Sequence, residues 1–105
     1  GSANAPMAPG MLASHYAPRA LVRLNATHVE RDEAALDFGG RFADHPGLWL
    51  DLSPAGDVRE AAAHLFAYLR QLDVPGTSSI AVAPVPMTGL GEAVNDRLNR
   101  AAAPR

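Results

Sequence analysis

Apolar and polar residues alternate in three short runs along the first half of the chain. Leu21-Val22-Arg23-Leu24-Asn25 is the first; Glu33 to Phe38 places Ala34, Leu36 and Phe38 on one side, and Leu48 to Leu52 does the same with Leu48, Leu50 and Leu52. A period of two predicts half-buried β-strands for all three. Gly39-Gly40 and Pro46-Gly47 supply the breaks between them. From Asp57 the period lengthens: Val58, Ala61, Ala62, Leu65, Leu69 and Leu72 recur at helical spacing and form one apolar stripe. Asp57 followed by Glu60 predicts a capping box, each side chain serving a backbone amide at the helix start. Pro75-Gly76 closes this helix. Ile80-Ala81-Val82-Ala83 is apolar on both sides of the pleat, as an interior strand requires. A last helix from about Gly91 to Ala102 buries Val94, Leu98 and Ala101.

A strand, a helix and a second strand in succession form a crossover unit, which predicts parallel strands joined right-handedly. The expected fold is α/β and small Rossmann-like, with about four mostly parallel strands and two main helices. Residues 20–105 form one α/β domain in this reading. Residues 1–19 precede it as an extended arm, because Pro6, Pro9 and Pro18 interrupt a stretch with neither periodicity. Gly1-Ser2 has the form of a tag remnant.

Composition narrows the function classes. A length of 105 residues suits a single core. The formal charge is −2, there is no lysine, and the nine arginines are scattered from Arg19 to Arg105 without a basic stripe, which disfavours nonspecific nucleic-acid binding. Without cysteine there is no disulfide, thiolate metal site or thiol nucleophile. No apolar run is long enough to span a bilayer, so no membrane partner is expected, and a cytoplasmic location fits.

Three constellations hold candidate chemistry. Thr88-Gly89-Leu90-Gly91 joins a strand to a helix, so Thr88, Gly89 and Gly91 are candidates for an anion-binding loop; a tight packing turn is the alternative, and Val94 stands where a dinucleotide fingerprint has its third glycine. Asn95, Asp96 and Arg97 are candidates for a structural polar cluster pinning that loop, through amide contacts and an arginine reaching back to a carboxylate. His15-Tyr16-Ala17-Pro18 sets aromatic side chains in the arm, where they suit docking into a pocket on another domain.

Other residues carry less. His15, His28, His45 and His64 form no ligand pair, so no metal site is expected; His64 lies one turn after Glu60 and reads as half of a solvated ion pair. Ser53 before Pro54 reads as a turn residue, and Asp44-His45 as loop polarity. Trp49 points away from Leu48 and Leu50, either as an exposed partner surface or buried beneath the second helix.

In order and spacing, Pro9-Gly10-Met11 with His15-Tyr16-Ala17-Pro18, Leu52-Ser53-Pro54-Ala55-Gly56-Asp57, and Pro84 to Leu98 resemble the C-terminal half of two-domain threonylcarbamoyl-AMP synthases, the longer relatives of the YrdC proteins. The resemblance runs from about Pro9 to about Ala102. It implies a linker plus a noncatalytic accessory domain, with an N-terminal YrdC-like catalytic domain as partner and tRNA met only indirectly, in t6A biosynthesis. It also implies ATP, L-threonine, bicarbonate and Mg2+ for the full enzyme and none for this fragment, which alone would be no enzyme and has no catalytic residues assigned. By the same resemblance His15, Tyr16 and Pro18 would contact the partner's active site. Where many relatives carry Lys-Tyr-Arg in the linker, this chain has Leu12-Ala13-Ser14. Alternatives from other classes are a small phosphate- or nucleotide-binding domain using Thr88 to Gly91, and a tRNA-binding module using Arg97, Arg100 and Arg105.

Overall fold

A computed structural model describes residues 18–103. Four strands, β1 (Leu21–Arg23), β2 (Ala34–Asp37), β3 (Trp49–Asp51) and β4 (Ser79–Val82), form one sheet in the order β1-β4-β2-β3. Every neighbouring pair is parallel, with Val22 beside Ile80, Leu36 beside Val82, and Asp37 beside Asp51. Two helices complete the domain, α1 (Val58–Leu72) and α2 (Leu90–Ala102). The α/β class is thus as the periodicities predict. β3 and β4 are parallel on either side of β2, so α1 carries the chain across that strand.

Both helices cover the same face. Leu65, Leu69 and Leu72 from α1 and Val94, Leu98 and Ala101 from α2 meet Ala34, Leu36, Leu52, Ile80 and Val82 in the main core. On the reverse face, small side chains admit loop backbone: Ala35 and Ala81 pack with Ala26, Phe42 and Ala83 in a second, smaller cluster. β2 is therefore buried on both faces, where alternation alone predicts a half-buried strand. Alternation misreads it because loops, and not solvent, meet its second face.

The strands are shorter than their apolar runs. β1 ends at Arg23 because Asn25 turns into the left-handed region at φ 53°, although the Ala26 amide still reaches the Val82 carbonyl at 2.8 Å. β2 ends at Asp37, whose carboxylate draws in the next amide, that of Phe38, at 2.7 Å.

Capping of α1 departs from the expected box. Asp57 is the N-cap and accepts from the Arg59 amide at 2.8 Å, but Glu60 accepts the Ser53 hydroxyl at 2.5 Å. The Asp57 amide donates to that same hydroxyl oxygen at 2.8 Å. Fully buried Ser53 thus takes the role expected of Glu60, and the Gly56 amide bonds its carbonyl to close the turn. Among the described residues no helix is long and apolar enough to cross a membrane.

Candidate functional site

Parallel sheets present their strand ends and the following loops at the carboxyl edge, the usual place for chemistry in open α/β folds. Here Asp37 and Asp51 end β2 and β3 in register on the loop-covered face. Asp37 is fully buried; its Oδ1 accepts the amides of Phe38 and Arg41 (2.7 and 3.1 Å), and its Oδ2 accepts the Phe42 amide and the Trp49 indole N–H (2.7 and 2.9 Å). Those four donors match the four acceptor positions of a carboxylate. Asp51 accepts the amides of Gly39 (3.2 Å), Gly40 (2.7 Å) and Ser53 (2.9 Å). Two carboxylates at strand ends have the outline of a Mg2+ site, but these do not fit one, since their oxygens already hold the loop from Phe38 to Phe42. No group of three or more His, Asp or Glu side chains able to hold a metal occurs among the described residues.

Sequence reasoning passed over both aspartates. The available signal was an aspartate at the end of each of two neighbouring apolar runs, the first followed by Gly39-Gly40. Trp49 belongs to the same arrangement: 37 % exposed, it lies on the face opposite the helices and is tied to Asp37. Burial beneath the second helix does not occur, because α2 packs with α1 on the other side.

At the opposite end of that face, Glu33 is buried between Arg23 and Ser79. Its oxygens take two guanidinium bonds, 2.6 and 3.1 Å, the Ser79 hydroxyl at 2.7 Å and the Glu30 amide at 2.9 Å. The Arg23 bonds, opposed by burial and aided by the Glu30 amide and Ser79, lower its pKa from 4.5 to about 2. Arg23 is raised in turn. The Arg23 guanidinium also donates to the His28 carbonyl at 2.9 Å, and the His45 ring Nε2 meets the Glu33 carbonyl at 2.7 Å, so it is an N–H there. This network fastens the loops before and after β2 and lies away from the carboxyl edge.

The glycine loop is built for close approach. A Cβ on Gly91 would lie 1.8 Å from the Pro86 carbonyl oxygen and 3.3 Å from Val58 Cγ1. Gly89 has φ 56° and caps α2 without a side-chain bond. The Gly91 amide bonds the Thr88 carbonyl at 2.9 Å and the Glu92 amide bonds that of Gly89 at 3.2 Å, so two first-turn donors are engaged within the loop.

Asn95, Asp96 and Arg97 do not converge. Asn95 Nδ2 donates to the Val85 carbonyl (2.9 Å), the Gly91 carbonyl (2.8 Å) and, at 3.4 Å, that of Pro86, which ties α2 to the preceding loop. Asp96 pairs with Arg100 at 3.1 Å on the solvent face. Arg97 reaches the Ala93 carbonyl, at 3.5 Å, beside a groove of about 280 Å³ between the helices lined by Ala62, Phe66 and Leu90. The three separate because α2 begins at Leu90 and carries consecutive residues to different faces. His64 stacks on Tyr68, ring centroids 4.7 Å apart, in place of the ion pair expected with Glu60. That follows from Glu60 being held by Ser53.

His15, Tyr16 and Arg105 lie outside the described residues. Pro18, grouped with them as a contact to a partner's cleft, is fully buried in this domain. The next two amides, of Arg19 and Ala20, donate to the two oxygens of Asp73 at 2.9 and 3.0 Å, and the Leu21 amide bonds the Ser78 carbonyl at 3.0 Å. Asp73 is the C-cap of α1. The described residues therefore begin with a seated proline followed by a carboxylate clamp on the next two amides.

Searches of curated proteins and of solved structures returned no match. A family profile described as threonylcarbamoyl-AMP synthase, C-terminal domain, matches residues 1–103, nearly the whole chain. The matched residues include the whole sheet and both helices. The chain belongs to the family of threonylcarbamoyl-AMP synthase C-terminal domains.

Proposed function

We propose that this chain is a noncatalytic accessory domain that docks on an N-terminal YrdC-like catalytic domain and gates its cleft through the arm carrying His15 and Tyr16. The observation that carries this reading is the seating of the arm's base by Pro18 and Asp73, which gives an arm a fixed point of departure. A tether with no positional task has no use for such an anchor. Commitment of Asp37 and Asp51 to internal amides supports the same division of labour. ATP, L-threonine, bicarbonate and Mg2+ belong to the catalytic partner in this scheme, and tRNA is met only through the product of the assembled enzyme.

The test titrates the chain with ATP and with L-threonine by calorimetry, then assays threonylcarbamoyl-adenylate formation by a catalytic domain with the chain attached, absent, or lacking residues 1–17. Weak or absent binding by the chain alone, with activity dependent on residues 1–17, is the expected outcome. Formation of threonylcarbamoyl-adenylate by the isolated chain overturns the proposal.

A further inference from the structure

We infer that the free edge of β3 is a self-complementary docking surface, on which a second copy of this chain pairs antiparallel about Leu50 and continues the four-stranded sheet across a two-fold axis. The inference is independent of the gating role proposed above.

The sheet order leaves two edges, β1 and β3. In a parallel ladder an edge strand turns the N–H and C=O of alternate residues toward its neighbour, and those of the residues between them outward. On β3 the Leu48 carbonyl accepts the Ala35 amide and the Leu52 amide donates to the Asp37 carbonyl, both at 2.8 Å. Leu48, Leu50 and Leu52 therefore serve β2, and Trp49 and Asp51 direct their backbone groups away from the sheet. On β1 the Leu21 amide bonds the Ser78 carbonyl at 3.0 Å, so Leu21 and Arg23 serve β4 and, within that strand, Val22 alone faces out. β3 is the edge that offers two outward residues in alternation.

Two such residues spaced by one complement themselves. With Leu50 on the axis, Trp49 of one copy lies opposite Asp51 of the other, and each of the two pairs exchanges two N–H···O bonds. Charge fits the same arrangement. Asp51 meets Trp49 and not a second Asp51, and its nearly buried carboxylate is turned in to the Gly39, Gly40 and Ser53 amides, so like charges do not meet across the axis. A formal charge of −2 per chain opposes association weakly.

The flanks of this edge suit a neighbour as well. Lysine and proline commonly blunt exposed strands, and Leu48-Trp49-Leu50 contains neither. Leu48 is 47 % exposed and Trp49 37 %, on opposite faces of the strand. On the helix side, Glu60 reaches Ser53 just beyond β3, and His64 and Tyr68 continue that row of α1 at helical spacing, stacked on each other. This row lies on the flank of α1 away from the groove it shares with α2, which is lined by Ala62 and Phe66. A two-fold axis at Leu50 turns it toward its own copy. A ladder this short buries a small area, so the dimer belongs with weak, transient assemblies and is expected to have a Kd on the order of 100 μM.

The experiment is sedimentation equilibrium of the 105-residue chain from roughly 10 μM to 1 mM, with hydrogen exchange followed at both ends of that range. The mass is expected to rise toward twice that of one chain and no further, while exchange at the Trp49 and Asp51 amides slows by roughly two- to fivefold and that at Val22 stays constant. Leu48→Lys, at an exposed site beside the axis, is expected to weaken association at least about tenfold, and Leu21→Lys on the other edge to leave it unchanged. Melting temperatures confirm that both variants fold. A chain that stays monomeric throughout overturns the inference, including the case where a strand of another protein protects the Trp49 and Asp51 amides instead. A dimer that survives Leu48→Lys with unaltered exchange at those amides uses another face and overturns it too. So does growth beyond two copies, which a closed two-fold contact forbids.

Discussion

Gly91→Ala is the sharpest perturbation this fold offers, because one added methyl meets backbone. The new Cβ would stand 1.8 Å from the Pro86 carbonyl oxygen and 3.0 Å from its carbon. An ordinary carbon-to-carbonyl-oxygen contact is roughly 3.3 Å, so helix and loop must separate by roughly 1.5 Å. Val58 Cγ1 at 3.3 Å blocks retreat toward α1. Separation strains the Asn95 contacts to the Val85 and Pro86 carbonyls, each hydrogen bond contributing about 1 kcal/mol net. Overpacking adds about 1–3 kcal/mol, and the higher helix propensity of alanine returns about 1 kcal/mol. The net loss is about 2–4 kcal/mol, which in a domain of this size lowers Tm by roughly 10–25 °C. Gly56→Ala is the control: φ is 76° but the space around a Cβ is open, so only backbone strain of about 1 kcal/mol is expected. Both are measured by circular dichroism during thermal and urea unfolding. If Gly91→Ala unfolds no earlier than Gly56→Ala, the close-approach account of this glycine is wrong.

Glu33 makes stability acid-sensitive. Its pKa falls from 4.5 unfolded to about 2 folded, so its contribution is complete above about pH 4.5 and disappears as pH drops toward 2. With partial screening of the half-exposed Arg23 this amounts to about 2 kcal/mol, and Glu33→Gln should flatten that limb of the stability curve; an unchanged curve would refute the assignment. Asp37→Asn removes acceptors and sets an amide N–H against backbone donors, so a loss of about 2–4 kcal/mol is expected. Release of the indole N–H should also change the emission of Trp49, the only tryptophan, and native-like emission would speak against the bond. Inorganic phosphate should leave Tm unchanged, since the Gly91 and Glu92 amides are engaged by Thr88 and Gly89. A phosphate-dependent rise that Gly89→Ala abolishes would restore the loop as an anion site.

What could be read from residue order was whatever depends on neighbours in sequence. The stripe from Val58 to Leu72 and the doubly apolar Ile80 to Ala83 each imply their element, because burial on one stripe or on both faces leaves a periodic mark. Neighbour order in the sheet leaves none: β1 pairs with β4, 58 positions away in the register of Leu21 with Ser79. Asp51, Glu33 and Asp73 take most of their donors from segments remote in sequence, which residue order does not reveal. Asp37 takes three of its four from the loop that follows it, and its place at the end of an apolar run before Gly39-Gly40 was the signal on offer. Ser53 shows the intermediate case. Its turn was legible from Pro54 and Gly56, but its hold on Glu60 displaced a local capping pattern that the sequence states plainly. The family resemblance was legible because motif spacing survives without knowledge of contacts.

The pairing of β1 with β4 alone also fixes when the N-terminal strand can join the sheet. On a ribosome the N-terminal edge strand emerges early and waits, unpaired, until Ser79–Val82 has cleared the exit tunnel. Asp73, too, is translated long after the amides it holds. Leu21–Arg23 is thus among the first segments made and among the last to be fastened into the sheet.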